Sequence, residues 1–463
     1  MVRETTWDSR RIDTRRRDRF WPVVAGIAVV AIALRWVIVV RYVRHVPLGD
    51  DALLYYFESA LLAHGHWFIE PIGALTRSGG ASAPTALHPP VFVLLLAAAR
   101  HLGVDTPERV ELLCAVIGGV AVVPIATVGR EVGGGRVGIV TAALAAVYVP
   151  RVFADGTGFA EVVYIPLIAF MLLFACRSLR RPSIGNAVAF GVFGGLATMT
   201  RGEGALVLVC VGLLVVLGSR SARMQSLRVV GVSLVTAAVV AAPWTVYNLT
   251  RFEHPVLLAT NDGATIAGAN CDPAYHGRLL GLWVFGCVAV RAAGGTPHGH
   301  AVDESQQDRQ LRAAGVKYAR KHAGRVPVVV AARVGRTFNL YRPVQTIELD
   351  VDVGKGWRAR VDLAAYELFM LGAVAGGWVQ WRRDRKLLLP FVGATIAVLL
   401  VVAVFYGNFR FRGPVDISFV VLSAVALDAL WNLLVSSRRR PGRVGSRADG
   451  SRSSGRARAP APG

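Results

Sequence analysis

Apolar residues in this chain come in long runs rather than in periodic stripes. Stretches near residues 21–40, 110–128, 137–150, 161–176, 186–200, 204–218, 229–246, 363–380, 387–406 and 415–435 are built almost wholly from Val, Ala, Leu, Ile, Gly and Phe. A helix that is apolar on every side belongs in hydrocarbon, and about 20 such residues cross a bilayer, fewer when the helix packs inside a bundle. The pattern predicts ten membrane-spanning helices. An eleventh run, HPPVFVLLLAAARHLG at 88–103, is apolar but short, and its Pro-Pro start suits the first turn of a helix.

Charge between the runs decides the topology. If residues 88–103 do not cross, then GREVGGGR (129–136), CRSLRRPS (176–183), GSRSARMQSLR (218–228), WRRDRK (381–386) and the tail from Ser436 all share the side of the basic N-terminus. Basic loops stay cytoplasmic, so this arrangement obeys the positive-inside rule at every loop, whereas a crossing at 88–103 would invert the later ones. The expected organisation is a basic cytoplasmic N-terminus (1–20), a transmembrane core (21–246) with an outer loop at 42–109, an extracytoplasmic lobe (247–362), C-terminal transmembrane helices (363–435) and a disordered basic cytoplasmic tail (436–463). The fold class is an all-α polytopic membrane protein of 10–11 helices. A hydrophobic fraction of 54% and a mean hydropathy of +0.47 agree with it. The net charge of +22 does not indicate nucleic acid, because the arginines sit at the ends and between apolar runs, where they meet anionic lipid. The first 20 residues are too arginine-rich, and the following run too long, for a removable secretory signal.

Candidate chemistry gathers on the outer side. Asp50 and Asp51 open the segment GDDALLYY just beyond the first span, with Tyr55 following; His88 precedes Pro89 and Pro90 later in the same loop. The next outer turns hold Arg151, Asp155 and Glu161 in PRVFADGTGFAE, Arg201 and Glu203 in MTRGEGA, and Arg410 and Arg412 in FRFRGPVD. Each turn pairs an arginine with an acid on the side where the positive-inside rule predicts few arginines. Plainer roles stand beside these. The aspartates suit the start of a helix, Arg201 and Glu203 can tie two short helices together, and Arg410 and Arg412 alternate with Phe409 and Phe411 as an interfacial anchor would. Arg35, near the outer end of the first span, is expected to snorkel to headgroups. Cys271 and Cys287 share the second outer loop, where an oxidising exterior permits a disulfide or two packing thiols. DESQQDRQLRAAGVKYARKHAGRVP reads as a cationic amphipathic helix lying along the membrane.

GDDALLYY outside the first span, LHPPVFVLLLA in the same loop, a carboxylate in the next outer turn, TRGEG between short helices and FRFRGP near the last span together resemble the GT-C superfamily of membrane glycosyltransferases. The pattern is nearest to the protein O-mannosyltransferases and the aminoarabinose transferase of lipid A, including bacterial members. Two positions depart from it: the family usually has Asp-Glu where this chain has Asp50-Asp51, and often a glutamate at Asp416. The resemblance implies an integral protein of a bacterial plasma membrane, termini inside and active site outside, that moves a sugar from a polyprenyl-phosphate donor to a protein, glycan or lipid acceptor.

The residue chemistry runs parallel to that implication. Inverting transfer needs a carboxylate to take the acceptor's proton and cations to stabilise the departing phosphate. Asp50 matches the first acid of the family's pair and is the expected base, with Asp51 orienting the acceptor or a cation. Arg151, Arg201, Arg410 and Arg412 offer bidentate guanidinium groups to a phosphate, and Tyr55, His88, Asp155, Glu161 and Glu203 complete the expected substrate-binding set. No cofactor or divalent metal is expected; the sequence has no Walker loop, no GxGxxG after a strand and no HExxH. A secondary transporter is the main alternative, but its ionisable groups would gather near the midplane and its halves would repeat. A non-catalytic lipid-binding envelope protein is the other.

Overall fold

The computed structural model describes residues 10–44, 46–71, 83–218, 223–293, 303–349 and 356–438. The first nine residues and the expected tail beyond Arg438 lie outside them. Apart from an isolated bridge between Ile69 and Pro84, no strand occurs among the described residues. Every expected span has its helix. In order these are α1 (Arg10–Ile38, continued by a π-helical turn at Val39–Val43), α2 (Asp50–Ala63), α3 (Pro90–Arg100), α4 (Pro107–Val120), α5 (Val122–Gly133), α6 (Gly135–Val147), α7 (Val149–Ala154), α8 (Glu161–Arg180), α9 (Ile184–Thr198), α10 (Gly204–Gly218) and α11 (Arg223–Leu249). A lobe follows with α12 (Asp262–Ala269), α13 (Asp272–Tyr275), α14 (Phe285–Ala293), α15 (Glu304–Lys321), α16 (Val326–Thr337) and α17 (Pro343–Leu349). The chain then returns through α18 (Trp357–Asp384), α19 (Leu389–Val404), a 3-10 turn at Phe409–Arg412 and α20 (Gly413–Arg438).

Six helical stretches among the described residues are long and apolar enough to cross a membrane, and the one at Trp357–Val404 contains both α18 and α19. The shorter α6, α9 and α10 pack between the long ones, as a bundle permits. Small residues make the close crossings possible: a Cβ at Gly376 of α18 would overlap the carbonyl oxygen of Leu422 on α20. Gly134 joins α5 to α6 at φ +87°, a left-handed conformation that favours glycine.

The ionic contacts sort the bundle into two ends. At one, Glu131 meets Arg177 at 3.5 Å and Arg180 at 3.0 Å, and Asp428 meets Arg136 at 3.3 Å and Arg383 at 3.7 Å. Phe20 of α1 joins them, with the Arg130 guanidinium 4.4 Å above its ring. This end collects the basic inter-helix segments. At the other end, α3 is tied down at both of its termini: Val91 N–H donates to Met199 O at 3.0 Å, and Arg100 donates to Tyr56 O at 2.7 Å and to Asp105 O at 3.2 Å. Its 11 residues rise only about 16 Å, roughly half the hydrocarbon thickness. A core cluster containing Tyr55, Phe92, Val93, Leu96, Val163 and Trp244 seats α2 and α3 on α8 and α11. Burial of each large side chain there is worth about 1.5–3 kcal/mol where water is the alternative.

Two expectations need correction. Arg35 does not snorkel; it is 2% exposed and donates to Asp155 at 2.7 Å and to Ala146 O at 3.2 Å, because its face of α1 turns toward α6 and α7 rather than lipid. Helical order begins at Arg10, within the basic N-terminal segment. The amphipathic segment is two helices, not one. α15 stops at Lys321, and after a turn Pro327 opens α16. Asp303 caps α15 through Ser305 N–H and Gln306 N–H. α15 packs into the lobe on α12, where Asp308 accepts from Gly263 N–H at 2.5 Å. Cys271 and Cys287 form a disulfide beneath it.

Candidate active site

Helical periodicity builds one wall. Asp51, Tyr55 and Glu58 fall at i, i+4 and i+7 of α2, so all three face the same side. Gly49 is the N-cap residue and Asp50 and Asp51 occupy the first turn. The Asp50 side chain lies outside the described residues. His88, held just before the rigid Pro89-Pro90 pair, lies with its ring 4.1 Å from the Tyr55 ring, placing Nδ1 3.1 Å from Glu58 Oε1 and Nε2 3.7 Å from Asp51 Oδ1.

The other wall comes from three distant turns. Arg410, on the 3-10 turn before α20, lies 3.4 Å from Asp51 and 2.6 Å from Glu161 at the head of α8. Glu161 also receives Arg201 at 2.5 Å, and Arg201 holds Glu203 at 2.5 Å. The result is a chain of alternating charge: Glu58, His88, Asp51, Arg410, Glu161, Arg201, Glu203. Each cation stands between two carboxylates. The Arg410 guanidinium also lies 3.8 Å over the Phe159 ring, which fixes its plane.

Burial and charge set the protonation states. Burial opposes a charge on His88, but the carboxylates of Glu58, hydrogen-bonded to the ring, and of Asp51 beside it outweigh that cost, so the imidazole pKa is pushed up to about 10. Burial would likewise raise Asp51; the adjacent His88 and the charges of Arg410 and Arg201 hold it well below the usual carboxylate range instead. The Asp51 side chain is still 45% exposed, so solvent screens part of that field. Buried oxygens Glu58 Oε2 and Glu161 Oε2 have no hydrogen-bond partner among the described residues.

The remaining expected residues form a second network deeper in the bundle. Asp155 is shared by Arg35 and by Arg151 at 2.5 Å. Arg412 is 1% exposed, 3.4 Å from Asp416 and 3.9 Å from Asp362, with its guanidinium 3.8 Å over Tyr366. Tyr148 donates to Asp416 at 2.9 Å. Phe409 and Phe411 are buried, so they do not anchor the turn in an interface. A narrow cleft lined by Arg151, Glu161, Arg410, Arg412 and Asp416 joins the two networks. Sequence reasoning passed over Glu58, Phe159 and Tyr148 as site residues. Of these only Glu58 carried a signal, its two-turn spacing from Asp51.

Comparison with known proteins follows the same lines. The family model described as dolichyl-phosphate-mannose-protein mannosyltransferase matches residues 87–247, a stretch that includes His88, Glu161, Arg201 and Glu203. No curated protein matches the chain in sequence. The archaeal oligosaccharyltransferase AglB from Archaeoglobus fulgidus, solved with an inhibitory peptide and a dolichol-phosphate, superposes with a TM-score of 0.57 at 16% identity, covering 93% of this chain and 52% of that one. The apo form of the Archaeoglobus fulgidus enzyme gives 0.56 at 15% identity, covering 94% and 53%. ArnT from Cupriavidus metallidurans bound to undecaprenyl phosphate superposes more loosely, with a TM-score of 0.39 at 15% identity and coverage of 88% and 77%. The chain thus spans about half the length of the oligosaccharyltransferase it matches. Its helix order and its superposition on that enzyme make it an integral membrane protein with the fold of the GT-C glycosyltransferase superfamily.

Proposed function

We propose that the protein transfers a hexosyl or pentosyl group, with inversion, from a polyprenyl-phosphate donor to an acceptor on the outer side of a bacterial plasma membrane. The observation that carries this reading is the alternating charge chain, assembled by five separate segments at the end of the bundle away from its basic loops. The positive-inside rule assigns the basic end, with both chain termini, to the cytoplasm, so the chain of charges faces outward, where lipid-linked sugars are presented.

In this reading Asp50 takes the proton from the acceptor hydroxyl. Asp51 is a poor base, since its partners keep it ionised, and it serves to orient Arg410. Arg410 and Arg201 stabilise the phosphate that departs as the glycosidic C–O bond breaks, and the open oxygen of Glu161 can accept from a sugar hydroxyl. Arginine charge fills the role a metal would otherwise play, so neither metal nor nucleotide enters the scheme. The acceptor is a protein, glycan or lipid.

The test uses the full chain in native membranes with a radiolabelled polyprenyl-phosphate sugar. Asp50→Asn keeps the shape and removes the proton acceptor, with an expected rate loss of about 10² to 10⁴. Arg410→Ala should weaken donor use by about 1.5 to 3 kcal/mol. Wild-type transfer by both Asp50→Asn and Asp51→Asn would overturn the mechanism.

A further inference from the structure

The outer lobe reaches both walls of the site. On the His88 side, Glu304 at the start of α15 accepts from Ala86 N–H at 3.0 Å and from Thr260 Oγ1 at 2.7 Å, while Thr260 N–H donates to Ala86 O at 2.9 Å. Ala86 is two residues from His88, and Pro89 and Pro90 stiffen the backbone beyond. Capping of α15 is already supplied by Asp303, so the Glu304 carboxylate is not needed by its own helix. On the Arg410 side, buried Arg333 of α16 donates to Ala403 O at 2.8 Å and Val404 O at 3.2 Å, the last carbonyls of α19. Gly407 N–H donates to Gly281 O of the lobe at 2.8 Å, and Asn408 Oδ1 accepts from Arg410 N–H at 2.8 Å. A cation placed on the final carbonyls of a helix also satisfies its dipole.

We propose that the lobe is the clamp that sets the two walls of the site against each other, with Glu304 the positioning residue for the His88 segment and Arg333 the positioning residue for the Arg410 segment. Neither side chain touches the charge chain. Each acts through a backbone segment of two to six residues, so the distance from Asp51 to Arg410 depends on a domain that contributes no charge to it. This inference rests on the proposed function for its lipid-binding consequence but not for its structural one.

Two measurements on the full-length protein in nanodiscs test it separately. The first is hydrogen–deuterium exchange. Glu304→Ala should speed exchange in the peptide 84–92 by about tenfold, Glu304→Gln should restore protection because one amide oxygen still accepts, and Arg333→Ala should do the same to 403–412 while sparing 84–92. If Glu304→Ala does not fold, Thr260→Val, which removes one donor to that carboxylate, is expected to loosen 84–92 less strongly. Unchanged exchange at 84–92 in the folded variants would overturn the clamp. The second is binding of undecaprenyl phosphate. Arg333→Ala should weaken it about tenfold while Glu304→Ala changes it less than twofold, a split that general loosening of the lobe would not produce. Equal weakening by both variants, or none by either, would overturn the assignment of one residue to each wall. Failure of the wild-type protein to bind that lipid would count against the proposed function, with the exchange data then deciding the clamp alone.

Discussion

Among the described residues Asp155 is ion-paired with two arginines, Arg35 and Arg151, and neither arginine makes a second ion pair, although Asp416 lines the same cleft as Arg151. The arrangement is asymmetric, and so are its consequences. Asp155→Ala leaves both arginines without their ion-pair partner and should cost about 3–5 kcal/mol, the usual penalty for breaking a buried pair. Arg35→Met removes a buried charge and leaves Asp155 with Arg151, so it should cost under about 1.5 kcal/mol. Thermal unfolding in detergent compares the two, and equal losses would sink the argument. His88 gives a prediction in pH. Its folded pKa of about 10 stands above the ordinary 6.5, so the stability it contributes is full below pH 6.5, declines as pH rises and is gone above about 10. Melting temperatures between pH 6 and 11 should therefore fall more steeply for the wild type than for His88→Asn. Parallel curves would mean that His88 does not carry the proton that joins Asp51 to Glu58.

The spans were legible because hydrocarbon demands uninterrupted apolar runs, a signal that survives without any knowledge of packing. Charge parity reads α3 as a helix that does not cross, and its hydrogen bonds tie its two ends to Met199 and to Tyr56 and Asp105. What escaped was direction at short range. Arg410 and Arg412 look equivalent in FRFRGP, but a 3-10 turn rotates residues two apart by about 240°, which sends one guanidinium to Asp51 and the other to Asp416. Arg35 was misplaced for a similar reason, because a span with no polar stripe does not announce which face meets its neighbours. The lobe was the least legible part: α15 is read from its amphipathic pattern, but the reach of Glu304 into the 85–88 segment leaves no trace in it. Its disulfide offers a direct check. Closing the 16-position separation between Cys271 and Cys287 is worth roughly 3 kcal/mol in the chain-entropy model. Non-reducing mass spectrometry should recover the two peptides linked, and free thiols in protein purified without reductant would contradict the pairing.

Across the whole molecule the two ends differ in kind, one holding the basic loops and the other the site. A cysteine at Asp105, whose side chain is 58% exposed beside α3, should react with a membrane-impermeant thiol reagent added from outside, and one at Gly134 should not. The reverse pattern would invert the assignment of the ends. The pairing of Asp51 with Arg410 spans 359 positions, which gives the site a history as well as a shape. Ribosomes add about 5–20 residues per second, so roughly 20–70 s separate the emergence of the first partner from that of the second. Through that interval the wall of Asp51, His88 and Glu58 stands without Arg410, and no nascent chain can close the ion pair between the two walls. The final turn before α20 therefore acts as a completion signal: a polypeptide stalled or cut before Phe409 carries nearly every helix of the bundle and still lacks the site.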